Sequence, residues 1–180
     1  FRTEYLARLH VWNRLAIWLS ACTVVGFAVL DHFVLSADHS RITNVVRFGL
    51  HVPCVLIMLV LTSRRFYQRW YELGIGVIAP AFGIGTVIMA AFSPPAEVPL
   101  VGARLLLASF FFCFMVGLRF RAATRANIIV LAALVVAFIA DTMPAATATY
   151  LMALLFVAIL IGLAGSYALE HANRTAFLEH

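Results

Sequence analysis

Four charged residues and one histidine stand where an apolar chain tolerates few of them: Asp31, Arg47, His51, Arg104 and Asp141. The sharpest case is NVVRFGLHVPCVLIMLV, residues 44–60, which after its first residue is broken only by Arg47, His51 and Pro53. An arginine at the centre of a membrane span costs about 2.5–3.5 kcal/mol on insertion scales, and less near an end, where the side chain can reach the headgroups. Arg47 lies about one turn inside one end of its apolar run, and Arg104 sits at a similar depth in another, so both need anions. Asp31 and Asp141 fall at the same level, and Glu97 is a third acid within reach of Arg47.

Helical spacing puts Arg47, His51, Cys54 and Met58 on one face, which should point into a bundle. Pro53 removes one backbone hydrogen bond and frees a carbonyl near residue 49. Two readings of the stripe remain open. In one, Arg47 and His51 are interior polar contacts, paired with acids or carbonyls of other helices. In the other, the set Arg47, His51, Arg104, Asp31 and Asp141 lines a pocket for an anionic head group, a quinone or a haem propionate. Haem itself needs two axial histidines on facing helices at matched depth, which His51 with His32 or His39 would supply. No repeated histidine pattern within a helix supports haem, and no cofactor is expected. His10, His171 and His180 sit at the membrane boundary.

The elements that must position these residues follow from composition. The chain has 180 residues, 64% apolar and 12% charged, with a mean hydropathy of +1.00; soluble domains run at about half apolar and a quarter charged. An all-α, multi-pass membrane protein is the consequence. All thirteen basic residues are arginine, which excludes lysine chemistry. The net charge of +5 comes from short arginine clusters between apolar runs, a pattern of membrane orientation rather than of nucleic-acid binding. Cys22, Cys54 and Cys113 lack any paired spacing and read as packing residues. No paired carboxylates, HExxH, phosphate loop or Ser/His/Asp set is present, so the chain itself is not read as an enzyme.

A bilayer core of about 30 Å needs about 20 apolar residues, and six runs approach that length: 12–35, 44–62, 73–92, 99–119, 125–143 and 147–169. SADHS, SPPAEVP and DTMPA supply the breakers between them. Ten arginines, at 2, 8, 14, 64, 65, 69, 119, 121, 125 and 174, fall on one side. That side is expected to be cytoplasmic, with both termini, in the cell's inner (plasma) membrane. Residues 1–11, with Phe1, Tyr5, Leu9 and Trp12 at near-helical spacing, form either an amphipathic helix on the membrane surface or an extension of the first span. GIGVIAPAFGIG in the third span reads as close packing through Ala79/Gly83 and Ala81/Gly85, as do Ala158/Gly162 in the sixth. A transporter would use a broken helix near Pro80, but no matching interruption appears in a second half. The membrane domain thus covers 12–169. Residues 170–180 continue the last span into the cytoplasm as a helix without a breaker. A chain that begins at Phe1, with no signal-peptide pattern, is expected to be a piece of a longer protein.

That last segment carries a resemblance. Tyr167, Glu170, Arg174, Phe177 and Leu178 form Tyr-x-x-Glu-x-x-x-Arg-x-x-Phe-Leu, which resembles the exit helix of bacterial six-span sensor domains that precede nucleotidyl cyclases. Arg47-Phe48-Gly49 followed by Pro53 is similar to their second span, and RRFYQRWYE, residues 64–72, to their first cytoplasmic loop. The resemblance implies a regulatory input module. Its last helix would signal through Tyr167, Glu170, Arg174 and Phe177 to a class III adenylate or guanylate cyclase, or a diguanylate cyclase, beyond His180. It also implies a homodimer with that helix near the symmetry axis.

Overall fold

The structure, a computed structural model, describes the backbone of residues 2–115 and 120–178. The side chains of residues 2–9, 64–65, 68–69, 72, 114–115, 173–174 and 176–178 are outside the description, so Arg174 and Phe177 of the expected output set lie outside the described residues. In chain order the elements are α1 (Arg2–Val34), α2 (Ala37–Val46), a π turn (Arg47–His51), α3 (Val52–Leu61), α4 (Arg64–Ala91), a 3-10 turn (Pro95–Glu97), α5 (Val98–Phe110), a second π turn (Phe111–Met115), α6 (Phe120–Ile139) and α7 (Ala145–Leu178). Among the described residues, six helical stretches are long and apolar enough to cross a bilayer: His10–Val34, Ala37–Leu61, Leu73–Ala91, Pro95–Cys113, Phe120–Ile139 and Ala145–Ala172. The all-α six-helix bundle expected from hydropathy is therefore the fold.

Two boundaries differ from the hydropathy pattern. The second span begins at Ala37, seven residues before the apolar run, because Ser36 takes an extended backbone (ψ 150°) and starts the helix. The polar first turns are sustained from inside: His39 and Thr43, spaced by four, are buried ahead of Arg47 and His51. At the N-terminus α1 runs unbroken from Arg2. Residues 2–11 are thus continuous with the helix of the first span, the segment holding no glycine or proline to turn the chain.

Helix α4 is the centre. It packs against α3, α5 and α6 and touches α1 and α2, while α7 packs on α5 and α6. Glycine permits the approach at one critical place. A Cβ on Gly85 would stand 2.5 Å from His51 Nε2 and 2.9 Å from Leu50 Cδ2, so only a residue without one lets α4 meet the π turn. A Cβ on Gly83 would likewise collide with Val130 of α6, and one on Gly162 of α7 would stand 2.7 Å from Cys113 Sγ, in keeping with the small-residue spacings. Helix α4 passes through Pro80 without interruption.

The first π turn has a local cause. Val52 donates its N–H to Arg47 O, five residues back, and Pro53 has none to donate. A proline ring also collides with the carbonyl four residues earlier, and the wider turn relieves that collision. Because α7 has 34 residues, it is roughly 51 Å long at about 1.5 Å per residue, well beyond a hydrocarbon core of about 30 Å.

Candidate functional site

At the bundle end formed by the α1–α2, α4–α5 and α6–α7 turns, one carboxylate holds two arginines. Asp31, fully buried near the end of α1, accepts from Arg47 Nη2 through Oδ2 and from Arg104 Nη2 through Oδ1. Arg47 Nη1 donates to Asn44 Oδ1 at 2.9 Å. The arginines are 2% and 6% exposed, and Arg104 Cζ stands 5.1 Å from the centre of the Phe27 ring, a cation–π contact. Arg104 Nε and Nη1 are buried without a hydrogen-bond partner. Buried donors left unpaired are uncommon and costly.

His51 turns to the other side of the same space. Its ring stacks on Phe82 with centroids 4.0 Å apart, and Nε2–H donates to the Phe82 carbonyl at 3.0 Å. Thr86 Oγ1 donates to the same carbonyl at 3.3 Å. That carbonyl thus serves two side-chain donors. Between α1, α4, α5 and the two π turns lies a cavity of about 380 Å³, with Arg47, His51 and Arg104 in its wall and Phe27, Phe82, Phe111, Met58 and Met89 around them. The inward face Arg47, His51, Cys54 and Met58 is buried throughout, at 2%, 5%, 6% and 3% exposure.

Of the expected set, Asp31, Arg47, His51 and Arg104 come together, and Asp141 does not. Asp141 is exposed, with φ 52°. Its N–H donates to Phe138 O at 3.1 Å, and Thr142 N–H donates to Ala137 O at 3.2 Å. This is a Schellman ending of α6 with an aspartate in the left-handed position usually given to glycine. The residue terminates a helix and pairs with neither Arg47 nor Arg104, both of which are held by Asp31. His32 is also exposed, beside Phe33, and lines a different cavity from His51, so these two histidines do not face one another across one site.

Sequence reasoning missed a clasp at the same end. His39 Nδ1 pairs with Glu97 Oε2, and Glu97 Oε1 accepts from the Ser36 N–H at 3.0 Å. His39 Nε2 lies 3.1 Å from Ser93 Oγ and 3.3 Å from Met89 O. The α1–α2 turn is thereby tied to the α4–α5 turn, and Glu97 is committed there rather than to Arg47. The signal was present as His39 four residues before Thr43 and eight before Arg47, an inward stripe longer than the apolar run that revealed it. A second missed network joins Ser109 Oγ, donating to Asn127 Oδ1 at 2.7 Å, with Asn127 Nδ2, donating to Ala123 O at 3.0 Å and Cys113 Sγ at 3.4 Å.

At the opposite end, Glu170 Oε2 accepts from the Phe120 N–H at 2.9 Å, and Tyr167 meets the Phe120 ring edge-on with centroids 5.9 Å apart. Tyr167 also stacks on His171 at 6.2 Å. The outgoing part of α7 is thus fastened to the first residue of α6. No known protein family, curated protein or solved structure matches this chain.

Proposed function

We propose that this chain is a membrane-embedded sensory domain, reading the cavity in the outer half of a bacterial inner membrane and passing its state along α7 to a nucleotidyl cyclase, with an adenylate cyclase preferred. The observation that carries the reading is the continuity of α7. One unbroken helix runs from Ala145 to Leu178, packs on α5, which contributes Arg104 to the cavity, and extends past the bilayer with Glu170 and Tyr167 on the start of α6. A displacement of α5 at the cavity has a rigid path to the last residues. The arginine distribution supports cytoplasmic termini. A homodimer with paired α7 helices would suit cyclases whose active sites form between two protomers.

Single cysteines placed in turn along residues 165–178, in a chain with Cys22, Cys54 and Cys113 replaced, test this. Disulfide cross-linking between copies should peak with helical period, and the peaks should shift register in the cavity-filling variant Ala108→Phe. Cross-linking without periodicity, or peaks that stay in place, would overturn the proposal.

A further inference from the structure

Taken as the input site of the sensory reading, on which this inference rests, the cavity carries its own charge requirement. Two guanidinium groups against one carboxylate leave the Arg47–Asp31–Arg104 cluster at +1. A net charge at low dielectric calls for a counter-charge. Among the described residues no acid is placed to provide it: Glu97 is held by His39 and Ser36, Asp38 and Asp141 are exposed, and Glu170 lies at the opposite end on the Phe120 N–H. Arg104, meanwhile, stands in the cavity wall, and two of its donor groups, Nε and Nη1, are buried with no acceptor among the described residues.

The remaining wall selects the rest of the molecule. It is aromatic and aliphatic, and Leu19 of α1 and Leu107 of α5, 50% and 47% exposed, border the cavity on its flank. Where the cavity opens beside them, its mouth faces lipid rather than water. At about 380 Å³ the space sits near the small end of the roughly 300–1,000 Å³ typical of ligand clefts, which suits one chain and not two. From charge, donors, wall and mouth together, we infer that the cavity binds a single-chain amphiphile with one negative charge, a long-chain carboxylate drawn from the lipid phase. Its head lies on Arg104 and its tail along Phe27, Phe82 and Phe111. Arginine suits this role because its planar fork matches a carboxylate and keeps its charge when buried.

Native mass spectrometry of the full chain, in nanodiscs of zwitterionic lipid, can read occupancy directly. Laurate should bind one per chain, about tenfold or more tighter than methyl laurate or dodecylamine. Arg104→Gln should abolish the preference for the carboxylate, Arg104→Lys should keep part of it, and Leu107→Trp should weaken laurate with all charges intact. Equal binding of laurate and its methyl ester, full binding to Arg104→Gln, or displacement of laurate by phosphatidylglycerol would each overturn the inference. Because occupancy is measured without any output, laurate binding with an unmoved α7 sinks the sensory proposal alone. A shift of α7 in Ala108→Phe with no laurate binding sinks this inference alone.

Discussion

Replacing Asp31 with asparagine puts the charge cluster to a quantitative test. The carboxylate is fully buried and shared, so the variant leaves two positive groups facing each other, and the local charge rises from +1 to +2. Removing one partner of a buried ion pair costs about 3–5 kcal/mol. Asparagine still offers one oxygen to one arginine, which puts the expected loss near the low end, about 3 kcal/mol. For a chain of this size each kcal/mol moves Tm by about 2–4 °C, so the midpoint should fall by roughly 6–12 °C. Adding Arg104→Gln restores the wild-type local charge of +1. The double variant should therefore be more stable than Asp31→Asn alone, a coupling that sets it apart from two independent lesions. Thermal unfolding in nanodiscs, followed by intrinsic fluorescence, measures all four corners of the cycle. A drop below about 2 °C, or additive losses, would mean that the three groups do not act as one cluster.

Three further outcomes follow from the geometry. Gly85→Ala should cost about 1–3 kcal/mol by forcing His51 off the Phe82 carbonyl, whereas Gly26→Ala, with open space around its Cβ, should lose nothing in the same unfolding assay. Glu170→Ala removes the acceptor of the Phe120 N–H, and hydrogen exchange at that amide should accelerate about fivefold for a loss of about 1 kcal/mol. Asp141→Gly should be neutral or stabilising by up to about 1 kcal/mol, because glycine takes the left-handed conformation freely; a clear loss would reveal a partner for the carboxylate.

Much of this was legible in the chain, and the reasons for the rest are specific. Long apolar runs declare spans, and the cost of a buried guanidinium announced that Arg47 and Arg104 require an acid at their depth. Which acid was not readable, because depth is encoded along each span while the order of helices around the bundle is set by packing. Asp31 took both arginines, Glu97 took His39, and Asp141 was claimed by a helix ending that sequence alone disguises, aspartate standing where glycine is the usual signal. The early start of the second span was hidden by its polarity, which the contacts of His39 with Glu97 and Ser93 compensate. Pro53 pointed to an irregular turn, but the aromatic wall of the cavity, with Phe27, Phe82 and Phe111 from three elements, had no local mark to distinguish it from ordinary apolar residues.

The two π turns, Arg47–His51 and Phe111–Met115, both border the cavity. Each stores one surplus residue relative to a regular helix. Expelling that residue from either would screw the neighbouring rod by about 100° and about 1.5 Å, a discrete click rather than a gradual bend. A molecule lodged against both turns would act as a ratchet pawl, and the bundle would have separate detents instead of a continuum of tilts.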